Sequence, residues 1–538
     1  MSTLTDAKPV VSAWSPFGYR AFALLWVATL ISNIGTWMHD VGAGWLMTTL
    51  NSSPAVVTLV QAATTLPFFL FALLAGALAD RLDKRRMLIT INLGLFGVIS
   101  VLALLVWQEQ MTPVLLIVFT FVIGTGAAFM APAWQAVVPQ LIPRETLKPA
   151  IALNSMGINI SRAIGPALAG ILIAGVGLAA PFALNAATHL VIIAALIFWR
   201  PEAAPKRTHH GSILSEMVTG LRHVRYNGPM LATLVRAVAF FVFASAYWSL
   251  LPLIARGVAD GGSELYGMLM ALIGAGAVTG ALFLPRLTGK LTSNQTVQLG
   301  TLGTAAALAV LALSAESFAL MAAAFLGGLS WIAVLTSFNV SAQLALPDWV
   351  RARGLAVFLM GFFGSMALGS ILWGQIATAT SVPITLLIAA TGLIAGMILT
   401  RKVEVGQAES LDLSSANVWP QAPALDPGSS VDQPAMVTVE YRIAEADRAG
   451  FTAALQNFAK ERLRNGATRW DLHQSVEDPE IWIESFHLPS WAEHLEQHAR
   501  VTRHDADLQQ SVRTFDIRES GPVVRHFVVP QSATPQPI

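Results

Sequence analysis

The sequence predicts an all-α polytopic membrane protein, twelve transmembrane helices in two parallel six-helix halves, followed by a small C-terminal α+β domain. Three observations carry this. Apolar residues make up 54% of the 538-residue chain and charged residues only 12%, too apolar a balance for a water-soluble domain of this length. Stretches of about 20 apolar residues, enough to cross the hydrocarbon core, recur along the first 400 residues with short polar breaks. Beyond Lys402 the chain turns polar and rich in charge.

The first segment, 1–19, is mixed and polar. The apolar stretch after it runs far past a signal-peptide core and offers no suitably placed small-residue cleavage site, so it reads as a first span. The predicted spans are 20–49, 55–79, 87–107, 112–138, 149–174, 178–199, 229–256, 264–285, 295–313, 317–345, 352–378 and 382–400. The longest break, 200–228, reads as a central loop that divides the halves 20–199 and 229–400. A net charge of +1 gives no electrostatic case for nucleic acid; the expected partners are the lipid bilayer and a small-molecule substrate. The chain has no cysteine, which excludes disulfides, thiolate metal sites and a cysteine nucleophile.

Basic residues fix the expected orientation, because short cytoplasmic loops retain Lys and Arg. Under alternating topology Arg20, Arg81, Lys84, Arg85, Arg86, Arg144, Lys148, Lys206, Arg207, Arg222 and Arg225 fall on one side. Arg286, Lys290, Arg351, Arg353, Arg401 and Lys402 join them, and the other side has only Arg256, beside Asp260 and Glu264. Both termini and the central loop are therefore expected in the cytoplasm, with the spans in the cell (inner) membrane.

The halves repeat at a constant offset of 204 residues: Gly76 maps to Gly280, Pro143 to Pro347, Gly165 to Gly369 and Gly170 to Gly374. Parallel repeats imply a substrate site near the midplane between halves and access that alternates as the halves rock. The run GALADRLDKRR, Gly76 to Arg86, returns as GALFLPRLTGK from Gly280. In the first copy Gly76, Asp80, Arg81, Arg85 and Arg86 occupy the positions of the loop signature of the major facilitator superfamily, which the chain thus resembles, with Asp83 where many members have glycine. The resemblance implies a cytoplasmic latch in which the acid pairs with basic and helix-end groups in one conformational state; the competing reading is four basic residues that obey charge placement alone. In the second copy Leu284 replaces the acid, so the two loops are not equivalent latches.

The segment Pro132 to Gly170 is similar to the branch that contains the bacterial enterobactin exporter and related secretion proteins. Within it Gly165, Pro166 and Gly170 resemble the fifth-span antiporter motif of exporters, although the full glycine spacing is not reproduced. The resemblance implies efflux of a siderophore-like or drug-like compound, in exchange for protons. Glycines also let membrane helices approach in proteins that move nothing, which is the plainer reading of the same residues.

Ionisable residues at membrane depth are costly and default to functional candidates. Asp40, with His39 beside it, lies in the first span, Arg162 midway along the fifth, His189 in the sixth and Arg236 in the seventh. Asp40 reads either as a proton carrier or as a cap in the outer vestibule. Arg162 is expected to face a partner or a water-filled cavity, His189 to pack, and Arg236 to snorkel to the cytoplasmic interface. Asn33, Trp37, Gln61, Trp134, Gln135, Asn154, Asn159, Asn339 and Gln343 are the uncharged candidates for the pathway, a set of amides and indoles suited to an amphiphilic aromatic cargo.

A Ser-, Pro- and Asp-rich stretch, 401–434, reads as a linker to a domain at 435–530, with 531–538 as a tail. The pattern predicts strands at 436–443, 467–475, 480–487, 514–518 and 523–529 and helices at 446–464 and 490–511. It resembles the ferredoxin-like modules of the dimeric α/β barrel group, which implies a cytoplasmic dimerising or regulatory module and a homodimer. Because that group includes small monooxygenases, a catalytic tail that processes the exported compound is the alternative. His494 and His498 share an i,i+4 spacing, with His487 and His504 nearby, but no H-E-x-x-H arrangement is present; no metal, cofactor or enzyme activity is expected.

Overall fold

The computed structural model describes residue 12 and residues 14–199, 213–258, 261–288, 291–416, 423–426 and 429–530. Most of 1–19, Lys206, Arg207, Asp260, Lys290, six linker residues at 417–422 and the 531–538 tail lie outside the described residues. So do the side chains of Asp80, Arg144, Lys148 and Arg286.

In the first half the helices are α1 (Arg20–Leu50), α2 (Pro54–Arg81), α3 (Lys84–Trp107), α4 (Pro113–Val137), α5 (Leu147–Gly175) and α6 (Ala180–Phe198). After α7 (Ile213–Tyr226) come α8 (Gly228–Gly257), α9 (Ser263–Thr288), α10 (Ser293–Leu313), α11 (Ser317–Leu344), α12 (Arg351–Ala379) and α13 (Val382–Leu399). All of these but α7 are long and apolar enough to cross a membrane, twelve candidate spans among the described residues. Their starts follow from local chemistry. Proline stands in the first turn of α2, α4, α6 and α13, where its missing N–H costs nothing. The Asp83 carboxylate accepts from the Arg86 amide at 2.7 Å and caps α3, and Thr292 with Gln295 forms a capping box on α10. The central loop is not wholly irregular as expected: α7 interrupts it, an amphipathic helix too short and too charged to register as a span.

The chain divides into two units, the first being Met1–His210, Leu234–Asn339 and Phe358–Glu404. Within it the sequence repeat is a structural one. A Cβ on Gly165 of α5 would stand 2.6 Å from Trp37 Cβ and 2.9 Å from the Ile34 carbonyl on α1; one on its repeat mate Gly369 of α12 would meet Ser245 and, at 2.6 Å, the Val242 carbonyl on α8. Gly170 faces the Ser263 carbonyl on α9 at 2.9 Å, and its mate Gly374 faces Thr58 and, at 3.1 Å, Ala55 on α2. Thus α5 and α12 each lie on the first helix of their own half and on the second helix of the other. Glycines on α9 answer: Gly267 would meet the Pro166 carbonyl, and Gly274 the Arg162 carbonyl, both at 2.7 Å. Side chains at these points would force the backbones apart.

Arg236 reaches toward the start of α10 and the end of α13, the side to which it was expected to snorkel, but finishes on protein groups. It is buried, its guanidinium donating to the Thr400 carbonyl at 3.1 Å and to Asn294 Oδ1 at 3.3 Å, so it satisfies the last carbonyls of α13 while tying α8 to α10 and α13. His189 is buried as expected, Nδ1 2.9 Å from Asn92 Oδ1, a bond between α6 and α3.

The second unit comprises Gly211–Thr233, Val340–Val357 and Val405–Ile538. Its sheet holds β1 (Ala435–Arg442), β2 (Arg469–Gln474), β3 (Ile481–Leu488) and β4 (Val523–Val528) in the antiparallel order β2-β3-β1-β4. Three helices accompany it, α14 (Arg448–Arg464), α15 (Trp491–Arg500) and α16 (Arg503–Arg513). β3 lies between β1 and β2, so the β1-α14-β2 unit is a split β-α-β. Two expected elements differ. The helix 490–511 breaks at Val501, because Thr502 and Asp505 cap a new start, and strand 514–518 is a turn whose contribution is one bridge, Ile443 to Asp516. The expected linker is strapped down: Ser415 bridges Thr502, and the Trp491 and Ala492 amides donate to the Gln433 and Val431 carbonyls at 2.8 Å.

Alternate β1 residues Val437, Val439 and Tyr441 turn inward onto Phe451, Leu455 and Phe458 of α14. A charge sits in this core. Glu484 of β3, 0% exposed, accepts from Arg462 Nε at 3.0 Å, Tyr441 hydroxyl at 3.1 Å and Trp470 indole at 3.1 Å. The Arg462 guanidinium is sandwiched 4.6 Å from the Phe458 ring and 4.4 Å from Phe486. Arg464 bridges Glu461 and Asp505, tying α14 to α16. Burial and its neighbour push Glu461 well above the usual carboxylate range; burial acts the same way on Asp505, but its hydrogen bonds with Glu461 and Thr502 and the Arg464 charge hold it low.

The same unit includes α7 and the α11–α12 connection. The Arg222 guanidinium of α7 lies 3.7 Å from Glu493 of α15, and Arg500 of α15 stacks 4.5 Å over the Trp349 ring. His223 packs edge-on to Trp349 at 5.3 Å, with burial holding its imidazole down at about 3. Asn227, one residue past α7, donates to the Ala345 carbonyl at 2.7 Å.

Replacing Glu484 with Ala removes the carboxylate shared by the buried Arg462, Tyr441 and Trp470. The expected outcome is a loss of about 3–5 kcal/mol in the stability of the C-terminal domain, measured by denaturant unfolding followed through Trp470 fluorescence. An unchanged midpoint would show that Glu484 does not hold the core.

Candidate functional site: a cavity of indoles and amides in the first half

A cavity of about 290 Å³ lies among α1, α3, α4, α5 and α6. One face of α1 supplies Trp26, Thr29, Leu30, Asn33, Thr36 and Trp37, at the three- and four-residue spacings that align side chains on a helix. From α5 come Asn154, Gly157 and Ile158, from α4 Ala127, Met130 and Trp134, and from α3 Asn92. Gly157 lies beside the Trp26 ring, where a Cβ would make ordinary contact at 3.4 Å, and the Trp26 indole donates to the Leu153 carbonyl at 3.0 Å. That bond leaves the ring face free as wall.

Four sequence candidates therefore meet in one place, Asn33, Trp37, Trp134 and Asn154. Arg162 lies one turn beyond Ile158 on α5, its guanidinium 5.4 Å from the Trp37 ring centre. Cation–π contact offsets part of the cost of a charge at this depth, and the buried Arg162 Nε has no hydrogen-bond partner among the described residues. One turn beyond the lining residue Ile158 there is thus a cation, set against the lining Trp37, with donor capacity to spare.

The other candidates stand apart. Asp40 and His39 are one turn past Trp37, away from the cavity; His39 is buried edge-on against Phe182 at 5.0 Å, and Asp40 is in electrostatic reach of Tyr266 on α9. Asn159 and Asn339 donate to carbonyls of their own helices, Ser155 at 2.9 Å and Leu335 at 3.0 Å. Gln135 and Gln343 are exposed, and Gln61 is half-buried outside the cavity wall. Sequence reasoning missed Trp26, Thr29, Thr36 and Met130; the stripe through Asn33 and Trp37 on α1 carried the signal for the first three.

In the signature loop Arg85 is committed to structure, donating to the Leu196 and Ile197 carbonyls at 2.7 and 2.8 Å and so capping α6. Gly76 opens onto space, whereas a Cβ on its mate Gly280 would meet Ile332 at 2.5 Å and the Leu329 carbonyl of α11 at 3.1 Å. The repeated glycine therefore serves packing in one half only.

Comparison with known proteins agrees with this architecture. The chain is 26% identical over 259 residues to a staphyloferrin A transporter of Staphylococcus aureus, a match that covers 47% of the chain and 64% of that protein. The chain thus spans less than two thirds of that relative's length. It is 27% identical over 384 residues to the multidrug efflux pump Tap of Mycolicibacterium fortuitum, across 68% of the chain and 91% of the pump. A solved structure of a POT family transporter in complex with a thioalcohol conjugated peptide superposes with a TM-score of 0.59 at 13% identity, over 71% of the chain and 96% of that structure, a likeness of fold. The family model for transmembrane secretion effectors matches residues 11–534, so with its twelve apolar helices and repeated halves the chain belongs to the transmembrane secretion effector family of the major facilitator superfamily.

Proposed function

We propose that the chain is a secondary active exporter that carries a small amphiphilic molecule, siderophore-like or drug-like, out across the cell (inner) membrane by alternating access, in exchange for protons. The observation that carries this reading is the cavity beside Arg162. Its volume, about 290 Å³, is at the low end of the small-molecule range, and its walls combine ring faces with the amides of Asn33 and Asn154. The indoles suit flat apolar groups, the amides hydroxyls or carbonyls, and Arg162 an acidic or acceptor group. Relatives named as a staphyloferrin A transporter and a multidrug efflux pump support both cargo classes. The basic loops support cytoplasmic termini.

Asp40 is the carboxylate we assign to proton coupling, and the Gly76–Arg86 loop is the cytoplasmic latch. A change of protonation at Asp40 would act on α1 at the level of Tyr266, below the exported end of the helix. In the tail, β4 leaves Val523 and Phe527 exposed on one face of the sheet, which supports pairing of two copies through it.

Arg162→Ala is expected to cut efflux of an amphiphilic dye from loaded cells at least about tenfold, the loss of one charged contact of about 1.4 kcal/mol or more, with protein level unchanged. Undiminished efflux removes Arg162 from the site. Collapse of the pH gradient, Asp40→Asn and Asp80→Asn should each slow the same efflux; if transport survives the first two, Asp40 is structural and another driving force operates. Crosslinking in membranes should trap dimers that vanish when residues after 404 are deleted, and monomers in both proteins would eliminate the tail as a dimer contact.

A further inference from the structure

Three imidazoles converge in the tail. His494 and His498 stand one turn apart on α15, and His526 reaches them from β4, so that one ring nitrogen of each lies within 4.8 Å of the others. The sequence placed the first two on one helix face; it could not place the third, which arrives through the sheet. The Nε2 atoms of His494 and His498 are 3.3 Å apart. Two imidazole nitrogens at about 2.0–2.1 Å from a tetrahedral zinc ion are separated by about 3.4 Å, so α15 already holds its pair at ligating distance. His526 has a ring nitrogen within 4.8 Å of both, and a side-chain torsion adjustment brings it into the set.

The surroundings fit. His494 is 1% exposed while His498 and His526 are half-buried, which leaves one open approach. Trp491 packs at 5.0 Å from His494 and 5.8 Å from His526 and walls the site with apolar surface. Gln497, one turn from His494, is buried beside it, its amide and the His494 Nδ1 in side-chain interaction with each other and without a further partner among the described residues. A ligating histidine needs its second nitrogen held, and Gln497 Oε1 is placed to do so once His494 binds through Nε2. His487 on β3 and His504 on α16 are not part of the cluster.

We propose that His494, His498 and His526 form a binding site for a divalent transition-metal cation of the zinc class, with a fourth coordination position left to solvent or a small ligand. Neutral imidazoles favour zinc, cobalt, nickel or copper over magnesium or calcium. The adjacent face of α15 carries Glu493 and Arg500, which hold Arg222 and Trp349, so the metal pins to the sheet the same helix that grips α7.

The test uses the full chain without a polyhistidine tag, purified in detergent, stripped with chelator and titrated with Zn²⁺ against a chromophoric competitor, then with Co²⁺ by visible absorption. One equivalent should bind, and Co²⁺ should give the intense bands of a tetrahedral site. His526→Ala and His498→Gln should each weaken binding about 10–100-fold, while His487→Ala and His504→Ala bind as the parent does. The conservative His498→Gln change is the safeguard if His526→Ala does not fold. Absence of a stoichiometric metal, or triad variants that bind unchanged, would overturn the proposal.

Discussion

Close backbone approach between helices is the constraint from which the membrane bundle follows. Lipid tails are as apolar as leucine, so spans gain little by hiding apolar surface from one another and hold together through packing and interhelical hydrogen bonds. Here the contact of α5 with α9 runs glycine to backbone, with Gly170, Gly267 and Gly274 admitting carbonyls where any side chain would collide. Gly165 seats α5 against α1 in the same way, and Gly369 and Gly374 repeat both contacts on α12. The cavity wall on α1 and the depth of Arg162 on α5 are set by these seams.

Polar groups in the bundle divide into those used up and those left over. His189 with Asn92, and Arg236 with Thr400 and Asn294, are satisfied pairs that fasten helices. Arg162 differs, since an aromatic face is its main company and part of its donor capacity is unspent.

Span number, the two halves and the repeat were legible because helix length and apolarity are dictated by the bilayer, and a constant offset leaves its mark on glycines that cannot vary. The cavity was half legible. Asn33, Trp37, Trp134 and Asn154 were visible as polar or aromatic residues in apolar surroundings, but the same criterion admitted Asn159 and Asn339, whose amides turn back on their own helices. The partners of Arg236 were not legible because nothing local announces that it will meet the end of a helix 164 residues away. Glu484 and His526 were hidden for a like reason: strand pairing brings their partners from distant segments. The strand expected at 514–518 failed because pairing with Ile443 extends to a single bridge.

The grouping of α7 and the α11–α12 connection with the tail has an evolutionary consequence. Trp349 belongs to a loop between spans, yet its neighbours His223 and Arg500 come from the central connection and from the appended domain. Substitutions at these positions cannot be accepted independently. Lineages that shed or replace the tail should show Trp349 exchanged for a polar residue and α7 stripped of Arg222 and His223, whereas lineages that keep it should vary the three segments in concert.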